Sequence, residues 1–70
     1  MNYDLGDLVR QSKTFARLER WGTHYRAFGK RGGSRARGTD SWPTPEEALN
    51  QLLSWERDGV ALGDYYARKP

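Results

Sequence analysis

At 70 residues the chain holds one small domain at most, because a fold of this size buries only about 60% of the surface its unfolded chain exposes. The absence of cysteine excludes a disulfide framework and a thiolate metal site, and 13% aromatic residues argue against an obligately disordered chain. The net charge of +3 hides a division: residues 10–37 carry seven Arg and two Lys against Glu19 alone, a net +8, and the remainder carries a net −5.

In chain order, the first expected element is a short helix or turn over residues 4–11, on which Leu5, Leu8 and Val9 share a stripe. Residues 1–13 form an N-terminal segment, residues 14–59 a sheet plus helix, and residues 60–70 a C-terminal tail. Over residues 13–21 Ala16 and Leu18 alternate with Arg17 and Glu19 as in a strand, while Leu5, Leu8, Val9, Ser12 and Ala16 also fit a helical stripe. A strand over residues 14–20 is favoured because three strands bury a helix better than two. Trp21 and Gly22 end it.

Residues 23–28 and 34–39 read as two antiparallel strands joined by the glycine-rich Gly29, Lys30, Arg31, Gly32 and Gly33. Tyr25 and Ala27 take one face of the first, His24, Arg26 and Phe28 the other, and Ala36 alternates with Arg35 and Arg37 in the second.

The last element is a helix over residues 44–58. Thr44, Pro45, Glu46 and Glu47 form a capping box with Pro at the first helical position. Ala48, Leu49, Leu52, Leu53 and Trp55 form the apolar stripe, and Gly59 stops the helix. Val60, Leu62, Tyr65 and Tyr66 are expected to pack back on the core.

The fold class is therefore α+β: a three-stranded antiparallel sheet on one amphipathic helix. Its expected core is Ala16, Leu18, Tyr25, Ala27, Ala36, Leu49, Leu52, Leu53 and Trp55. Arg17, Arg26, Arg35 and Arg37, with His24 and Phe28, then fall on the face that the helix leaves bare.

His24 is the only histidine, so no His-His or His-Cys metal cluster can form, and none of Ser12, Ser34 and Ser41 sits in a pattern that activates a hydroxyl. No catalysis, metal or cofactor is expected. The run from Gly29 to Ser34 lacks Walker spacing and reads as a turn whose cations can touch a phosphate backbone. Trp21 and Trp42 fit edge-of-core packing better than base stacking.

Phe15 to Gly22, Tyr25 to Ala27, the basic stretch from Gly29 to Arg37, and Trp42 to Ala48 opening the helix together carry a resemblance. From Phe15 to Trp55 the chain resembles the small DNA-binding domains of three strands and one helix found in plant APETALA-type regulators and in the arm-binding ends of phage and transposon integrases. The resemblance implies that the sheet enters the major groove, with Arg17, Arg20, Arg26, Arg35 and Arg37 touching bases and phosphates and Trp21 a base or sugar. The chain departs from that pattern at residues 38–41, where Asp40 and extra residues interrupt the final strand. The order of elements and the turn around Phe28 to Gly32 also look like a WGR domain, which binds nucleic acid too.

The first functional expectation is a non-catalytic module that contacts nucleic acid, double-stranded DNA in the first place, as an accessory factor of a phage or mobile element. Its contact residues are Arg17, Arg20, Trp21, Arg26, Lys30, Arg31, Arg35 and Arg37. The alternative is a stand-alone protein inhibitor of the anti-CRISPR type, complete in itself, that blocks a nucleic-acid-processing complex. Pairing of two copies through a strand edge or through Tyr65 and Tyr66 is a third expectation. No stretch approaches the roughly 18 apolar residues of a membrane span, and Met1 to Leu5 lacks a basic start. The chain reads as soluble and cytoplasmic, in the host cytoplasm if phage-encoded, with no membrane partner.

Overall fold

A computed structural model describes residues 5–31 and 35–59. Two helices and three strands follow one another as α1 (Leu5–Gln11), β1 (Phe15–Trp21), β2 (His24–Gly29), β3 (Arg37–Gly38) and α2 (Pro45–Asp58). The strands form an antiparallel sheet in the order β1-β2-β3, with α2 laid across one face, the α+β arrangement expected from the sequence.

Helix α2 forms where the capping box places it. Thr44 is extended, its hydroxyl accepts the Glu47 N–H at 3.2 Å and donates to the Glu47 carboxylate, and Gly59 closes the helix in the left-handed conformation at φ 76°. Its stripe buries Ala48, Leu49 and Leu52 completely against Ala27 of β2 and Leu8 of α1. Leu18, Tyr25, Trp42, Leu53 and Trp55 pack around that centre half-buried. Removing such side chains from water contributes about 2 kcal/mol each.

Helix α1 is seven residues long, too short to hold itself together in water, so it depends on packing Leu8 against α2. Glu56 of α2 supplies a second tie. Its carboxylate accepts the backbone N–H groups of Lys13 (3.0 Å) and Thr14 (3.2 Å) and the hydroxyls of Ser12 and Thr14. Burial pushes the Glu56 carboxyl up, but these four donors outweigh it and hold the group below its ordinary value of 4.5.

Strands β1 and β2 are joined by the two-residue turn Gly22–Thr23, with Trp21 opposite His24. Gly22 has φ +68°, as the first position of a type II′ turn requires, while Thr23 stays at negative φ. Leu18 stands opposite Ala27 and Arg17 opposite Phe28, and a bulge between Phe15 and Arg17 shifts the register.

Two expectations are corrected. Ala16 lies in the bulge and is exposed, so it is not in the core; Phe15, on the other side of the bulge, packs there instead. The third strand is only two residues long, with Ala36 outside it and half-buried. Phe28 lies on the expected face, away from α2, and is only 8% exposed.

The short β3 has a local cause at the departure noted in residues 38–41. The Thr39 hydroxyl accepts the Ala27 N–H at 3.1 Å and donates to the Asp40 carbonyl, so a side chain takes over a ladder position. Asp40 and Ser41 swing out, and pairing resumes one residue out of register where Trp42 and Tyr25 exchange backbone bonds of 2.7 and 2.9 Å. Gln51 of α2 secures the detour by accepting the Asp40 N–H and the Trp42 indole N–H. The expected packing of residues 60–70 and the hairpin tip at 32–34 lie outside the described residues.

Candidate functional site

Strand alternation sends Arg17, Glu19 and Trp21 of β1, and His24, Arg26 and Phe28 of β2, to the face opposite α2. There the side chains form a ladder. The Arg17 guanidinium lies 4.2 Å from the centre of the Phe28 ring, and the Arg26 guanidinium lies 5.1 Å from Phe28 and 4.6 Å from Trp21. The two cations cover Phe28, which accounts for its burial away from the helix.

Each rung is held from the side. Arg26 donates its Nε to the Thr39 carbonyl at 2.7 Å, so the detour after β3 fixes the guanidinium over both rings. Glu19 accepts Arg17 Nε at 2.7 Å through one oxygen and the Trp21 indole N–H at 2.8 Å through the other. The hydrogen bonds from Arg17 and then Trp21 hold its carboxyl below the ordinary 4.5, so it stays ionised. Gly38 completes the site by what it lacks: a Cβ there would sit 2.6 Å from Arg26 Nη2 and 2.6 Å from the Phe28 ring.

Of the eight expected contact residues, Arg17, Trp21 and Arg26 come together on this face. Trp21 is 51% exposed and is not the edge-of-core residue its position in the sequence suggested; Trp42 is, half-buried against the core.

Arg37 and Arg20 do not join them. Arg37 stands opposite Gly29 and lays its guanidinium 4.5 Å from the Trp55 ring of α2, on the helix side. Arg20 stands opposite Tyr25, also on the helix side by alternation, and bonds the Gly22 carbonyl at the turn. The assignment of Arg37 to the bare face is thereby corrected; its pairing with Gly29 puts it on the helix side of the sheet, and Gly38, opposite Phe28, takes the bare face. Lys30, Arg31 and Arg35 are exposed outside the strands, and the Lys30 N–H bonds the Thr14 carbonyl at 2.8 Å.

Sequence reasoning missed Glu19 and Phe28 as parts of the site. The period-two spacing of Arg17, Glu19 and Trp21 was the available signal for Glu19. Phe28 was placed on the correct face, but its cover by two guanidinium groups is a tertiary event with no local pattern.

Among the described residues no three metal-ligating side chains converge, and His24 meets only the Thr23 hydroxyl, at 3.0 Å. What the face offers is two positioned planar cations, an exposed indole and one carboxylate on a flat two-stranded surface. In comparisons with protein-family models, curated proteins and solved structures, nothing matches the chain.

Proposed function

We propose that the chain is a non-catalytic nucleic-acid-binding module that lays the β1–β2 face on double-stranded DNA. The observation that carries this reading is the ladder of Arg17, Phe28, Arg26 and Trp21: two guanidinium groups held in place on rings, beside an indole left open to solvent. A two-stranded ribbon fits the major groove, and a stacked guanidinium keeps its N–H fork directed outward for phosphate or a guanine edge. Lys30, Arg31 and Arg35 supply further phosphate contacts in the same basic stretch of sequence.

The test is a fluorescence titration with random double-stranded DNA at several salt concentrations. With about five phosphate contacts, log affinity falls against log salt with a slope of about −4 to −5. Arg17→Ala and Arg26→Ala each flatten that slope by about 1, whereas Arg37→Ala, which faces α2, leaves it unchanged. A salt-independent response, or equal loss from Arg37→Ala, overturns the reading.

A second reading, a protein inhibitor that blocks a nucleic-acid-processing complex, is favoured by two observations. Glu19 places a negative charge in the middle of the basic face. Across the molecule, Glu47 and Asp58 help line an open groove of about 660 Å³ between Trp42 and Trp55, chemistry that suits a basic protein surface. Absence of any DNA shift at low salt, together with loss of DNA binding by a purified target complex when the chain is added, selects this reading.

A further inference from the structure

We propose that two copies of the chain join edge to edge through β1, in an antiparallel pairing centred on Leu18 that makes one continuous six-stranded sheet. The strand order leaves the outer edge of β1 without a partner among the described residues over its full seven-residue length. In a hairpin closed by a two-residue turn, Trp21 and His24 are a hydrogen-bonded pair, and the pairs then alternate. Arg17, Glu19 and Trp21 therefore direct their backbone groups to β2, while Leu18 and Arg20 direct theirs outward.

Charged residues on an edge strand commonly prevent such pairing. Here their order does the opposite. A two-fold axis perpendicular to the sheet keeps the faces matched, so the allowed registers differ by where the axis falls. Centred on Leu18, within the stretch from Arg17 to Trp21 that the bulge leaves regular, the pairing sets Arg17 directly opposite Glu19 of the second copy, twice by symmetry. Centred on Glu19, it sets two carboxylates face to face. Charge selects Leu18, whose half-buried side chain then meets its own copy on the helix side and extends the core. This inference is read without DNA, by sedimentation and crosslinking, and so stands or falls apart from the nucleic-acid reading, although Arg17, which sets its register, also lies on the proposed DNA face.

Sedimentation of the full chain from about 10 μM to about 1 mM tests it. The expected result is a monomer–dimer equilibrium that Arg17→Glu weakens about tenfold, as does Glu19→Arg, and that the double exchange R17E/E19R restores to within about threefold. Far-ultraviolet circular dichroism of dilute samples confirms that each variant keeps the fold.

Register is read separately, in a chain that has no cysteine of its own. Oxidising a mixture of Arg17→Cys and Glu19→Cys chains gives a disulfide-linked heterodimer in preference to either homodimer, because close cross-strand neighbours satisfy disulfide geometry. A chain that stays monomeric throughout, a dimer indifferent to both single reversals, a double exchange that fails to restore pairing, or crosslinking without that preference overturns the proposal.

Discussion

At the scale of single residues, two side chains do most to connect distant parts of the chain. Glu56 reaches from the last turn of α2 to the segment between α1 and β1, and Arg26 reaches from β2 to the Thr39 carbonyl while stacking on Phe28 and Trp21. Because the Glu56 carboxyl titrates lower in the fold than in the unfolded chain, the unfolded state binds more protons on acidification. Its contribution is full above the ordinary value of 4.5 and is lost as pH falls through the lower folded value. Urea melts of the native chain and Glu56→Ala are expected to differ by about 2 kcal/mol at pH 7 and to converge below pH 4.5. A difference that persists unchanged at pH 3 would mean that the carboxylate charge has no part in the clasp. Neither Glu56 nor Arg26 declares its partner in the sequence. Both partners are hydroxyls or backbone groups more than ten positions away, and local spacing carries no trace of them.

At the scale of elements, legibility follows how local the determinants are. Helix α2 was readable to the residue because its start, stripe and stop each lie within a few positions: Thr44 with Glu47, the Leu49 and Leu52 spacing, Gly59. The hairpin of β1 and β2 was readable from alternation, apart from the bulge that exposes Ala16. The third strand was not, because alternation through Ala36 says nothing about the Thr39 hydroxyl displacing a backbone bond. Thr39 is 1% exposed, and its hydroxyl serves the buried Ala27 N–H. Thr39→Val keeps the shape but removes that acceptor, so it is expected to lower stability by about 1 to 3 kcal/mol, whereas Thr23→Val at the exposed turn has little effect. Thermal melts of the two variants check this. Equal melting points would show that Thr39 holds the detour by packing alone.

At the scale of the whole molecule, the charge division along the sequence is only partly a division across its thickness. Helix α2 carries Glu46, Glu47 and Asp58 and the opposite surface presents Arg17 and Arg26, but Arg37 lies against Trp55 on the helix side and Glu19 sits among the cations. The sorting of cations by strand period was legible for these two, and failed for Arg37 because the register of β3, which pairs Arg37 with Gly29, is set by the distant strand and not by local spacing. No described helix is long and apolar enough to cross a membrane.

The missing side chain at Gly38 gives this surface a switch that involves no charge. Adding a single methyl group there, as Gly38→Ala, evicts the Arg26 guanidinium from its shelf while every ionisable group in the chain is kept. If pre-set orientation governs recognition, DNA affinity should drop about tenfold with the salt slope intact; if bulk positive charge suffices, the substitution should pass unnoticed.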